Sequence, residues 1–546
     1  MQFGPIPTAE AAGAILAHGI KIEGLALKKG RVLSPGDIEA LAKAGQTSVV
    51  AARLEPGDVP EDPAAAQIAA AIAGDNLTRS AAFTGRCNLF AAARGLVVID
   101  AERLDRLNLI DEAITVATVA PFALVEPRQM VATVKIIPFA VEAATMTAAR
   151  TITAAGPLVR VATFRAKRVG LIQTRLPGLK DSVIAKTVDT TRARVAALGS
   201  TLAADTVVPH DQNAIAVAIA AQRAQGCDPI LVMGASAIVD RRDAIPAAIV
   251  AGGGEVLHFG MPVDPGNLLL LGRIEQTPVL GLPGCARSPK LNGFDWVLQR
   301  LLADVPVTKQ DIMRMGSGGL LMEIATRPLP RGKAGPAPAA PRAPRIAAVV
   351  MAAGRSSRMA PANKLLSDVD GRVMVQRAVD AALASQATPV VVVTGHDGAR
   401  IREALAGRDV RIVDNPDYAA GLSTSLRTGL ASLDGMNTDG AVFLLGDMPL
   451  VTSAHIDRLI AAFNPTEGRA ICIPSHRGKR GNPVLWASRF FPEMRALEGD
   501  QGARSLFRQH AELVCEVDME DDGVLVDIDT PEALTALRHA APRGAA

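Results

Sequence analysis

Four apolar runs toward the C-terminus constrain the fold most: IAAVVMAA (346–353), PVVVVTG (389–395), VRIVDN (410–415) and GAVFLLGD (440–447). None alternates apolar with polar residues, so none reads as a strand with one wet face. Helical patterns separate them: VMVQRAVDAALASQ, ARIREALAG and STSLRTGLASL. Strands buried on both faces and joined through helices imply an α/β fold with a mainly parallel sheet covered on each side. Ligands of such sheets sit beyond the carboxyl ends of the strands.

A chain of 546 residues is too long for one core. The stretch RPLPRGKAGPAPAAPRAPR (327–345) has no apolar periodicity and reads as an extended, semi-rigid linker that does not pack. It separates 346–546 from an N-terminal region of several parts. Within that region α/β alternation returns over 168–326, through RVGLIQTRL, VIAKTVDTTRARVAALG, STLAADTVVP, QNAIAVAIAAQRAQ and PILVMGAS. Ahead of it, 1–165 reads as an accessory region, Ala-rich and helical to about residue 75 and mostly β from 82 to 165.

Lys plus Arg is 58 against 55 acids, a net charge of +3, and aromatics are only 3%. That excludes a polyanion as obligatory partner and argues against nucleic-acid stacking platforms. Cys87, Cys227, Cys285, Cys472 and Cys515 are odd in number and never spaced Cys-x-x-Cys, so a disulfide framework and a zinc site are not expected. The opening MQFGPIPTAE lacks a basic segment and an apolar run, and no apolar stretch reaches membrane-spanning length. A cytoplasmic protein without membrane association is the expectation.

The stretch VVMAAGRSSRMAPANKLL (349–366) lies where the first of the four strands ends. Ala352, Ala353 and Gly354 allow close approach of a ligand to backbone N–H groups, and Arg355, Arg358 and Lys364 add fixed positive charge suited to a triphosphate. A Walker loop is excluded by spacing. In LLGDMPLVT (444–452), Asp447 follows a fully apolar strand and is placed to hold Mg²⁺ against phosphate oxygens. In GVLVDIDTPEAL, Asp527 and Asp529 read as ending another apolar strand, with a helix N-cap as the competing role for Asp529.

Together MAAGRSSRM…NKLL, NPDYAAGLSTSLRTGL, LLGDMPLVT, RGNPVLW, GDQGARSLF and DIDTPEAL resemble the molybdenum cofactor cytidylyltransferases, across nearly all of 345–540. The resemblance implies a Rossmann-like nucleotidyltransferase fold and transfer of CMP from CTP to molybdopterin, releasing pyrophosphate. It implies that Ala352, Ala353, Gly354, Arg355, Arg358 and Lys364 hold the triphosphate, that Gly421, Ser423 and Ser425 line the nucleotide pocket, and that Asp447 with Asp529 holds Mg²⁺. Lys364, Arg358 and Asp447 would carry catalysis. Ala353 and Asn363 stand where the guanylyl branch has Gly and Asp, which favours cytidine; Ala360 replaces the usual Gly.

Two further stretches, VMGASAIVDRRD (232–243) and TPVLGLPGCARSPK (277–290), place small residues after apolar strands. They resemble the two loops of the molybdopterin-binding domain of molybdenum-insertion proteins. That resemblance implies molybdopterin contacts from Gly234, Ser236, Asp240 or Asp243, Pro283 and Gly284. Met233 and Cys285 depart from the pattern, where Gly and Asn are usual. The expected protein is bifunctional, with molybdenum hydroxylases as recipients of its product. A transferase of the same fold acting on a sugar phosphate or isoprenoid precursor, and a carrier without turnover, are the alternatives.

Overall fold

The computed structural model describes residues 1–22, 25–321, 342–356, 359, 363–465, 468–499 and 503–539. Arg358, Ala360 and positions 327–341 of the linker lie outside the described residues.

The fully apolar runs become the centre of an eight-stranded sheet. Its spatial order is Arg411–Asp414, Val390–Thr394, Ile346–Ala352, Gly440–Leu445, Val484–Ala487 and Ile471–His476, with Lys479–Arg480 and Val514–Asp518 both paired to the last. The first four are parallel, and Val484–Ala487 runs antiparallel to its neighbours. Every residue of Val390–Thr394 is buried, which is why the sequence shows no alternation there. Helices Met374–Leu383, Leu422–Ala431 and Ser453–Ala462 cover the faces.

A second sheet of six strands has the order Thr201–Pro209, Arg168–Arg175, Ile230–Met233, Thr277–Leu282, Leu270–Ile274 and Glu255–Phe259. The first four are parallel, so the loops after Ile230–Met233 and Thr277–Leu282 emerge side by side at one edge.

Residues ahead of it differ from the helical expectation. Gln2–Pro7, Ile15–Leu16 and Ser48–Arg53 form a three-stranded sheet, and α-helix is confined before residue 60 to Pro35–Lys43 among the described residues. Ala51 and Ala52 are wholly buried on the central strand, so tight packing overrides the helix preference of alanine. Helix Glu61–Ile72 does agree with the helical expectation up to about residue 75, while among the three small sheets between residues 59 and 163 helices Ala101–Asn108 and Ala143–Thr153 give more helix than a mostly β reading of 82–165 allows.

Two further expectations are corrected. Residues 523–525 form a 3-10 turn and no strand precedes Asp527. Val524 instead gives its carbonyl to the Asn482 N–H at 3.0 Å, a single bond where a ladder was expected. The end of the linker also packs: Ala343 donates to the Arg128 carbonyl at 2.8 Å, and Arg342 holds Asp439 at 2.8 Å. The two halves meet elsewhere too. Lys28 Nζ donates to the Val514 carbonyl at 2.8 Å, and Arg458 reaches Asp62 at 3.3 Å.

Candidate active site

The loop after Ile346–Ala352 turns sharply at Ser356, whose φ is +49°. Ser356 Oγ accepts from the Lys364 N–H at 3.2 Å and donates to Asn363 Oδ1 at 3.2 Å. Asn363 is 5% exposed and caps the 3-10 turn Lys364–Leu366, accepting from Leu365 N–H at 3.0 Å. Lys364 is therefore held by its backbone before its ammonium meets anything.

That ammonium lies 2.5 Å from Asp447 Oδ2 and 2.7 Å from Asp529 Oδ1. Asp447 is carried there by the Gly440–Leu445 strand and a close-packed Gly446, where a Cβ would sit 3.1 Å from the Met351 carbonyl. Asp529 comes from the loop after the 3-10 turn; the Ile528 N–H donates to the Asp447 carbonyl at 3.0 Å, fixing the two acids together. Burial pushes the Lys364 pKa down, but the charges and hydrogen bonds of both carboxylates outweigh it and leave it raised. Asp447 Oδ1 is buried without a hydrogen-bond partner among the described residues. That orphaned carboxylate oxygen fits a divalent cation. Among the described residues no cluster of three or more His, Cys, Asp or Glu is available, so phosphate oxygens and water would complete its shell.

The cluster opens into a cleft of about 1170 Å³. Its lining is partly polar, with Gly354, Arg355, Ser356, Lys364 and Asp529, and partly apolar, with Phe443, Ile473, Trp486, Met494 and Phe507. Trp486 and Phe507 stack at 5.2 Å between centroids and 13° between planes. Arg480 and Asn482, from RGNPVLW, also line the cleft.

Lys364, Asp447 and Asp529 are brought together, with Gly354 and Arg355 on the same cleft. Ala352 and Ala353 are buried beneath it. On helix Leu422–Ala431, Leu422 and Leu426 line the cleft, while Ser423 and Ser425 are buried at 1% and 4% exposure. Ser425 Oγ accepts from Asn415 Nδ2 at 2.9 Å. Gly421, with φ +112°, begins that helix. The apolar wall went unread in the sequence because Phe443, Trp486 and Phe507 lie far apart along the chain, each inside a different quoted stretch (GAVFLLGD, RGNPVLW and GDQGARSLF).

At the edge of the six-stranded sheet the acids have local roles. Asp243 caps helix Ala244–Ala251 at 2.8 Å, and exposed Asp240 pairs with Arg242 at 2.9 Å. A Cβ on Gly234 would come 2.4 Å from the Ser236 carbonyl, so this tight loop requires glycine. Arg287 ties the two loops by donating to the Gly234 carbonyl at 2.9 Å, and Gly284 beside Pro283 faces open space.

Sheet order, the carboxyl-end cleft and its charged cluster define a nucleotidyltransferase domain. The MobA-like NTP transferase domain family matches residues 348–513, and a domain of unknown function, DUF8806, matches 5–53. The purine catabolism protein PucB of Bacillus subtilis is 30% identical over 35% of this chain and 95% of its own length. The nicotine blue oxidoreductase of Paenarthrobacter nicotinovorans is 27% identical over 35% and 96%, and the molybdenum cofactor cytidylyltransferase of Escherichia coli 29% over 34% and 91%. Through this C-terminal domain the chain belongs to the MobA-like NTP transferase family. No helix of the described residues is long and apolar enough to cross a membrane.

Proposed function

We propose that the protein is a bifunctional molybdenum cofactor maturation protein that transfers CMP from CTP to molybdopterin and binds molybdopterin through its N-terminal half. The observation carrying this reading is the mixed lining of the cleft. Its charged residues suit a triphosphate, and its apolar residues suit the fused ring of a pterin, with Phe507 the least buried of the aromatic side chains. The likeness to the cytidylyltransferase, at 29% identity, supports the same choice.

In the proposed reaction an oxygen of the molybdopterin phosphate bonds to the α-phosphorus of CTP, and the bond from that phosphorus to the β-phosphate oxygen breaks. Pyrophosphate leaves with the electron pair. Two anions must approach, so the barrier falls through charge neutralisation and alignment, with no covalent nucleophile needed. Arg355 and Lys364 hold phosphate oxygens; Arg358 is assigned the same role from its motif. Ser356 and Asn363 keep Lys364 in place. Asp447 and Asp529 would hold Mg²⁺, which when bound supplies positive charge against the phosphates. The loops bearing Gly234, Ser236, Asp240, Asp243, Pro283 and Gly284 are proposed to hold molybdopterin, and molybdenum hydroxylases to receive the product.

The test is pyrophosphate release by the full-length protein with molybdopterin, Mg²⁺ and each nucleoside triphosphate in turn. CTP should give the fastest release, and only when the pterin is present. Equal rates with a sugar phosphate or isoprenoid phosphate in place of the pterin would sink the assignment.

A further inference from the structure

A second cavity, of about 690 Å³, lies at the amino end of the Gly440–Leu445 strand and is lined by Arg128, Arg342, Arg345, Asn437, Thr438 and Asp439. That strand's six residues put it about 20 Å from Asp447, at roughly 3.3 Å per residue, so it is separate from the cleft. Arg128, with Pro127 beside it, comes from the N-terminal half and the other five from the far side of the chain, so the cavity is built only where the halves meet.

Three guanidinium groups share one carboxylate, and that carboxylate is already engaged. Arg342 holds both oxygens of Asp439 at 2.8 and 3.0 Å, and the Arg345 backbone N–H donates to it at 2.7 Å. Among the described residues no carboxylate pairs with the side chain of Arg128 or Arg345. Arg128 Nη2 donates to the Pro344 carbonyl at 2.5 Å, while its Nε is buried without a partner among the described residues. Nor is Arg128 there by accident of a loose side chain. Its φ is +70°, its N–H donates to the Ala91 carbonyl at 2.7 Å, and its own carbonyl accepts from Ala343. Burial first, then the neighbouring Arg345 and Arg342, push its pKa down against the opposing charge of Asp439. A partly buried guanidinium with one nitrogen unpartnered among the described residues is costly unless an anion joins it, and exposed Arg345 stands beside it without a carboxylate for its side chain. Their planar forks match the oxygens of a phosphate.

We propose that this junction cavity binds a phosphate-bearing dianion, held by Arg128 and Arg345. The source is either free pyrophosphate or the phosphate of a nucleotide. The inference does not depend on the substrate of the cleft.

Calorimetric titration of the full-length chain with inorganic pyrophosphate, and separately with CMP, tests it. In Lys364→Ala, which weakens the cleft, one anion per chain should still bind. Adding Arg345→Gln, at an exposed position that keeps the fold, should weaken that binding by roughly tenfold, the scale of one charge-assisted hydrogen-bond partner. Arg345→Lys should restore part of it. Binding of pyrophosphate alone assigns the free anion, and binding of CMP assigns a nucleotide phosphate. The proposal fails if neither anion binds to Lys364→Ala, or if Arg345→Gln leaves both isotherms unchanged.

Discussion

Both sheets end in glycine-containing loops at the carboxyl edge of parallel strands, yet they use their acids differently. Beyond Gly440–Leu445, Asp447 and Asp529 converge on the Lys364 ammonium, and Asp447 Oδ1 stays buried and unpartnered among the described residues. Beyond Ile230–Met233, Asp243 is spent on a helix end and Asp240 on an exposed arginine. Position at a strand end is therefore not enough to leave a carboxylate oxygen without a local partner. What distinguishes the transferase edge is the buried Asp447 oxygen, unpartnered among the described residues, beside the cleft that Lys364 and Asp529 line.

The largest expected effects fall on that edge. Asp447→Asn and Lys364→Ala should each lower turnover by roughly 10²–10³-fold, the scale of removing one preorganised charge-stabilising group. Near-normal steady-state rates in either folded variant would remove the contrast. At the other edge, Gly284→Leu introduces a side chain into open space, so the fold should persist. It should weaken molybdopterin binding there by about tenfold, a loss worth ~1.4 kcal/mol, and leave the KM for CTP unchanged. An unaltered pterin titration would leave that edge purely structural. Asp243→Ala should lower stability by about 1 kcal/mol, the usual cost of a lost N-cap, which thermal melts would register.

The smallest effect concerns the face where the halves dock. Burial, and then the charge of Asp62, raise the Glu61 carboxyl from an ordinary 4.5 to about 7. The folded state holds its proton between those values, so this group's contribution to stability falls as pH rises from 4.5 toward 7. Glu61→Gln should therefore match the parent near pH 4 and exceed it above pH 7, by on the order of 1 kcal/mol after allowing for solvent screening. Melts that coincide at both ends of that range would show that folding leaves the titration of Glu61 unchanged.

The parallel sheet of the transferase was legible because strands buried on both faces carry no polar residue to interrupt them. Asp447 was legible for the same reason, as the first acid after such a run. Asp529 was found through the motif that carries it but assigned to a strand, since VLVDI has strand composition and only the partner chain segment decides whether a ladder forms. The aromatic wall was not legible: Trp486 and Phe507 stack through a fold-level encounter that no local pattern records. In the first 75 residues, alanines that serve a tightly packed strand look the same in sequence as alanines that favour a helix. The packed end of the linker escaped notice because Arg342 and Arg345 owe their order to Asp439, almost a hundred positions away.

The contacts of Lys28 with Val514, Arg458 with Asp62 and Arg342 with Asp439 have a kinetic consequence. The first two join the region ahead of residue 165 to the transferase domain, so the rate at which those two parts come apart is set by an interface and not by chain length.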